Sequence, residues 1–185
     1  AVPIRVIVAG RFVAREDAEA ILAAGAADFI SLGRALYTDP HWCLKAFGEV
    51  NAPIRQCIAC NVCHDRLSSE LDVCCVQNPM IGTAFEALPQ AEPHLSARST
   101  DTGRRVLILG AGISGVEAAR VAAGSGHVVE IWERSNRVGG QVHLATAAPH
   151  KEEARSAWTY RWQEIQALGI PVRIGVEASA EKIRT

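Results

Sequence analysis

Net charge is what this sequence most lacks. Lys and Arg total 19, Asp and Glu 20, and the formal balance at pH 7 is −1. A chain so balanced has no electrostatic reason to seek nucleic acid or an anionic membrane. Long apolar runs are missing too. The longest, such as Val106–Leu109 and Val128–Trp132, have the length of a strand and cannot span a bilayer. There is no internal repeat and no low-complexity tract. No secretory leader is expected ahead of the first strand. Hydrophobic residues make up 49% and charged residues 21%, which suffices for a packed core. The length of 185 residues allows one large domain or two small ones.

Cysteine, by contrast, is concentrated. Five of the six cysteines fall within residues 57–75. Crowding of this kind, with no secretory start, fits a metal or cluster site in a reducing cytoplasm better than disulfides. Cys57, Cys60 and Cys63 form C-I-A-C-N-V-C, and a further candidate stands in Cys74-Cys75, ahead of V-Q-N-P. Three thiolates spaced i, i+3, i+6 can cap three corners of a cube, and a fourth completes the ligand set of a [4Fe–4S] cluster. Structural zinc is the alternative, but it favours paired Cys-x-x-Cys units at longer separation. Such a cluster carries one electron at a time and so implies redox partners on both sides. Cys43 is expected as a small core residue in a helix, and His64 as a surface histidine.

The rest of the chain reads as alternating strands and helices. A strand over 4–9, a helix over Glu16–Ala24 with Ile21 and Leu22 inward, and a strand over 28–32 make a parallel strand–helix–strand unit. Asp39 as N-cap and Pro40 at the first helical position open another helix that stops before Gly48. Residues 51–82 show little periodicity, and 87–103 read as a polar linker. A second unit follows: strand Val106–Leu109, glycine loop, helix Val116–Ala123, strand Val128–Trp132, helix 151–168 and strand Val172–Ile174. Both chain ends read as cut, so the expectation is the middle of a longer protein, with a processed subunit as the alternative.

Two places could hold phosphate. Both early strands end in Gly-Arg, at Gly10-Arg11 and Gly33-Arg34. Backbone N–H groups at glycine and a guanidinium suit phosphate oxygens at the carboxyl ends of parallel strands. A strand-end turn carrying a surface arginine is the plainer reading. The second place is Gly110-Ala111-Gly112-Ile113-Ser114-Gly115, a G-x-G-x-x-G loop between a strand and a helix. Its glycines permit a tight turn and close approach of a pyrophosphate, which then faces the helix N-terminus. Glu133 ends the next strand, where its carboxylate can accept hydrogen bonds from ribose hydroxyls. Arg134 follows it, and Gly139-Gly140-Gln141 makes a second glycine turn.

In this order the segments resemble the 2,4-dienoyl-CoA reductase and trimethylamine dehydrogenase family of iron–sulfur flavoproteins. The resemblance covers essentially the whole chain. A-G-R…A-A-D-F-I-S-L-G-R-A…D-P looks like the last two strands of an old-yellow-enzyme-like barrel, C-I-A-C-N-V-C…C-V-Q-N-P like the cluster loop, and G-A-G-I-S-G-V-E-A-A-R…E-R…G-G-Q like the start of an FAD domain. The implied fold is α/β. Residues 1–50 would be the C-terminal end of a TIM barrel (its last two βα units), 51–86 the cluster segment, 87–103 a linker, and 104–185 an incomplete Rossmann-like FAD/NAD(P)-binding domain.

The resemblance also implies roles. Cys57, Cys60, Cys63 and Cys75 would ligate the [4Fe–4S] cluster, with Cys74 a buried free thiol. Gly10, Arg11, Gly33 and Arg34 would hold the FMN phosphate. Gly110, Gly112, Ile113, Ser114, Gly115, Glu133, Arg134, Gly140 and Gln141 would hold FAD, or ADP in the amine dehydrogenase branch. In the reductase branch, electrons pass from NAD(P)H to FAD, cluster and FMN, and then to the C=C bond of an unsaturated carbonyl or enoyl thioester. In the amine dehydrogenase branch they leave the FMN through the cluster. A separate electron-transfer subunit is the third reading. A small-molecule substrate and a nicotinamide cofactor are the expected partners, with a homo-oligomer also open. Nothing here matches the family's substrate-facing tyrosine and histidine. No catalytic residue is therefore expected in this stretch. Residues 1–50 alone would leave an apolar sheet edge.

Overall fold

The computed structural model describes residues 3–82 and 103–184. The chain divides into two compact units, Ala1–Ala84 and Phe85–Thr185, each with its own apolar cluster. The linker expected at 87–103 lies, but for Gly103, outside the described residues. No helix among the described residues is long and apolar enough to cross a membrane.

In the first unit, β1 (Ile7–Ala9), α1 (Arg15–Ala23) and β2 (Phe29–Ser31) form the expected parallel unit. The register runs from Ile7 opposite Phe29 to Ala9 opposite Ser31. The strands are shorter than the apolar runs suggest. Before β2 the chain turns, and the Val6 carbonyl accepts both the Asp28 and Phe29 N–H groups, at 2.9 and 3.1 Å. On α1, Ala18 is buried and Ile21 packs against the cluster, but Leu22 points outward. The buried stripe centres between Ala18 and Ile21, so Leu22 falls at its margin.

The helix expected to open at Asp39 is built differently. Arg34–Thr38 is already a helix, α2, and Asp39 ends it; α3 begins at Trp42 and runs to Ala46. Asp39 keeps one capping contact, accepting the His41 N–H at 3.1 Å. Its other oxygen accepts the Arg55 N–H and the Lys45 ammonium, both at 2.8 Å. On α3, Trp42, Lys45 and Ala46 share the buried face. Cys43 therefore lies outside that face and is exposed, contrary to the core reading. α4 (Val62–Ser68) interrupts the stretch that shows no periodicity. Its seven residues are too few to repeat a pattern. The cluster of this unit joins Phe12, Ala18, Ala35, Trp42 and Ala46.

The second unit holds β3 (Arg105–Leu109), α5 (Ile113–Gly124), β4 (Val128–Glu133), α6 (Val142–Ala145), a 3-10 turn at Glu152–Arg155, α7 (Ser156–Ala167), β5 (Val172–Ile174) and α8 (Ala180–Arg184). The sheet is fully parallel in the order β3-β4-β5. α6 and α8, of four and five residues, carry no readable period. Val116 and Ala119 of α5, Val129 and Ile131 of β4, and Trp158 and Ile165 of α7 build the core. Charge is buried with them. Glu117 accepts from Arg120 at 2.8 Å and from Arg161 at 2.9 Å, which ties α5 to α7 while pairing the buried guanidinium groups.

Candidate functional site

Cys57, Cys60, Cys63 and Cys75 line one recess of the first unit, and Cys74 does not. Instead of being a buried thiol, Cys74 is half-buried. Cys63 is placed by α4 and is buried. Burial pushes its thiol pKa up, the His64 N–H pulls it down, and the charges of Cys75, Cys57 and Cys60 raise it further. Cys63 thus lies close enough to the other three cysteines for their charge to disfavour its ionisation. Among the described residues, no three His, Cys, Asp or Glu side chains gather as the ligands of one ion. His64 is exposed, as expected.

The residues after Cys75 explain why it faces inward. Gln77 donates its N–H to the Cys75 sulfur at 3.4 Å, and its side-chain amide donates to the Gln56 carbonyl, beside Cys57, at 3.2 Å. Asn78 donates to the Tyr37 carbonyl at 2.9 Å, and its own Oδ1 accepts the Met80 N–H at 3.1 Å. Both side chains are buried. The Thr38 hydroxyl stands 3.7 Å from the Cys75 sulfur.

The two Gly-Arg turns leave the same end of the β1–β2 pair, as the parallel register requires. Arg11 sits in left-handed backbone, φ +53°. Gly33 precedes α2, and its carbonyl accepts the Leu36 N–H at 2.9 Å. Arg34 begins α2. Its guanidinium donates to Asn61 Oδ1, between Cys60 and Val62, and lines the cysteine recess.

In the second unit the glycine loop joins β3 to α5. A β-carbon at Gly115 would stand 1.9 Å from the Gly110 carbonyl oxygen, so only glycine lets the helix close on the turn. At Gly112 nothing lies within 4 Å of that position, which leaves the backbone open to a ligand at the N-terminus of the twelve-residue α5. Gly139 donates its N–H to the Ala111 carbonyl at 2.8 Å, so the second glycine turn rests on the first. Glu133 is buried at the end of β4. One carboxylate oxygen accepts the Ala111 N–H at 2.8 Å; the other accepts the Ser135 hydroxyl at 2.6 Å and the Ser135 N–H at 2.9 Å. Led by the Ser135 hydroxyl, these bonds hold its pKa below the usual glutamate value. Ser114, Arg134, Gly140 and Gln141 are exposed around the same loops, and Ile113 starts α5.

Residues 108–163 match the NAD(P)-binding Rossmann-like domain family. Bilirubin reductase of Mediterraneibacter gnavus is 35% identical over 184 residues, covering 99% of this chain and 28% of that protein. N,N-dimethylglycine/sarcosine dehydrogenase of Chromohalobacter salexigens is 35% identical over 167 residues, covering 90% of this chain and 24% of that protein. A solved 2-naphthoyl-CoA reductase complex superposes with a TM-score of 0.85 at 30% identity, covering 98% of this chain and 27% of that one. The chain is homologous to a segment of the 2,4-dienoyl-CoA reductase and trimethylamine dehydrogenase family. It spans about a quarter of the length of these relatives.

Several residues beside the candidate ligands were passed over by sequence reasoning. Thr38 and Gln77 line the cysteine recess beside Cys75, and Asn78 ties the same segment to Tyr37. Gln77 and Asn78 belong to the V-Q-N-P that follows Cys75. Their signal was a pair of amides directly after a candidate ligand. Ser135 and Ala111 hold Glu133, and a hydroxyl two residues after a strand-end acid was the available clue.

Proposed function

We propose that this chain is the electron-relay part of an NAD(P)H-dependent flavin and iron–sulfur oxidoreductase. The carrying observation is one recess lined by Cys57, Cys60, Cys63 and Cys75, in a chain that also carries a dinucleotide-type glycine loop. The four cysteines hold a [4Fe–4S] cluster, which supplies one-electron chemistry when bound. Residues 1–50 form the end of an FMN-binding barrel, with Gly10, Arg11, Gly33 and Arg34 about the FMN phosphate. Residues 51–86 form the cluster segment, 87–103 a linker, and 104–185 the start of an FAD-binding domain. There Gly110, Gly112, Ile113, Ser114 and Gly115 approach the pyrophosphate, with Arg134, Gly140 and Gln141 beside them. An ionised carboxylate offers about four acceptor sites. With three donors already on Glu133, a ribose hydroxyl takes the remaining one.

With those groups bound, the chain would serve electron transfer from NAD(P)H through FAD, cluster and FMN to the C=C bond of an unsaturated carbonyl or enoyl thioester. The similarity to bilirubin reductase and 2-naphthoyl-CoA reductase supports this direction. A second reading, amine oxidation with ADP in the glycine-loop site, draws on the equal identity to the dimethylglycine/sarcosine dehydrogenase. Free thiols at the recess suit a reducing compartment such as the cytoplasm.

Anaerobic reconstitution of the chain should load about four irons and four sulfides. Cys75→Ser should abolish loading and Cys74→Ser should not. One bound zinc with no iron would end the cluster reading, and the opposite pattern for the two serine variants would end the ligand assignment.

A further inference from the structure

We propose that Thr38 is a positioning residue for Cys75, and that its hydroxyl gives that sulfur a hydrogen bond which raises the cluster's reduction potential. The inference rests on the cluster reading above and adds a residue to it. Thr38 is the last residue of α2 and is almost fully buried. Its Oγ1 lies between two partners, the Cys75 sulfur at 3.7 Å and the Arg34 carbonyl at 3.0 Å.

A hydroxyl has one proton and two lone pairs. While Cys75 is a thiol, its S–H can donate to Thr38 Oγ1, and the hydroxyl proton then goes to the Arg34 carbonyl. A ligating Cys75 has no proton to give. The hydroxyl then turns to the sulfur, because the sulfur is the charged acceptor and charge-assisted bonds are the stronger ones. Hydrogen bonds to ligating sulfurs are one of the levers that set a cluster's potential. They withdraw negative charge from sulfur and so favour the state with one more electron.

The surroundings hold Thr38 to this task. Its carbonyl accepts from the Arg55 guanidinium at 3.5 Å. The carbonyl of the preceding Tyr37 accepts from Asn78 at 2.9 Å, three residues after Cys75. Asp39, which follows, donates its N–H to the Ala35 carbonyl at 2.8 Å and carries the buried pair with Lys45. Helix end and ligand segment are therefore fixed to each other from both sides of the hydroxyl–sulfur contact.

The test is a redox titration of the reconstituted chain, followed by the electron paramagnetic resonance of the reduced cluster. Thr38→Val should keep the iron and sulfide content of the parent. At a fixed ambient potential its reduced-to-oxidised ratio should fall about fivefold, the worth of one hydrogen bond. Thr38→Ser should restore the parent ratio. In deuterium oxide, the parent should show an exchangeable proton coupled to the cluster that Thr38→Val lacks. If Thr38→Val fails to load, Thr38→Ala takes its place with the same expectation. A loaded Thr38→Val or Thr38→Ala with the parent potential overturns the proposal. So does a serine variant that falls as far as valine, because shape rather than the hydroxyl would then set the potential. A parent chain that binds no iron overturns the cluster reading itself, an outcome distinct from an unmoved potential.

Discussion

A methyl group at Gly115 would collide with the Gly110 carbonyl oxygen, 1.9 Å from where its β-carbon must stand. The neighbour is backbone in a turn that already holds Gly110 at φ +101°, so it cannot yield cheaply. Gly115→Ala should cost about 3 kcal/mol of the second unit's stability, read by denaturant unfolding. Glu133 gives a second residue-scale prediction. Its pKa is lower folded than unfolded, so its contribution to stability is complete above the ordinary glutamate pKa and is lost as pH falls through the folded value. Glu133→Gln should therefore flatten the acid limb of the stability profile while leaving its slope near neutral pH unchanged. The glycine and the acid were both legible in the sequence, because the motif and the strand end fix where they stand. What was not legible is that the acid also ties the loop together. That depends on Ser135 and Ala111, whose donors only the fold aims at the carboxylate.

Elements differ in how openly the sequence declares them. α5 and α7 have twelve residues each and show enough turns for a period to appear. α2, α4, α6 and α8 have between four and seven residues and do not. The α2–α3 corner shows what replaces the period there. Asp39 reads as an N-cap by residue type, yet its carboxylate joins Lys45 of α3 and the Arg55 backbone in a pair sealed from solvent. A buried pair broken on one side leaves an uncompensated charge. Lys45→Met should cost the first unit about 3–5 kcal/mol in denaturant unfolding. Asp39→Asn combined with Lys45→Met should cost clearly less than the sum of the two single changes. Additive losses would show that the two groups do not act as a pair.

At the scale of the whole chain, each unit has its own apolar cluster, so damage in one should stay there. Gly115→Ala should take up as much iron as the parent chain even while the second unit melts early. Iron analysis beside a thermal scan checks both halves of that statement. The order of strand–helix–strand, cysteine stretch and second parallel unit could be followed along the sequence, because alternating apolar runs and glycine turns mark each step. The bracing of the recess could not, since Thr38, Gln56 and Asn78 are separated by long stretches of chain and share no local pattern.

The amide side chains of Gln77 and Asn78 donate to the Gln56 and Tyr37 carbonyls, bonds made wholly between protein groups. Segments far apart in sequence are thus cross-braced around the recess by bonds between protein groups. Bleaching by oxygen should then be a repairable injury: the visible colour is lost while the far-ultraviolet circular dichroism stays. Fresh iron and sulfide should return the colour at a rate set by their delivery. Many small metal sites collapse when stripped; bracing by protein groups alone predicts a recess that can be refilled.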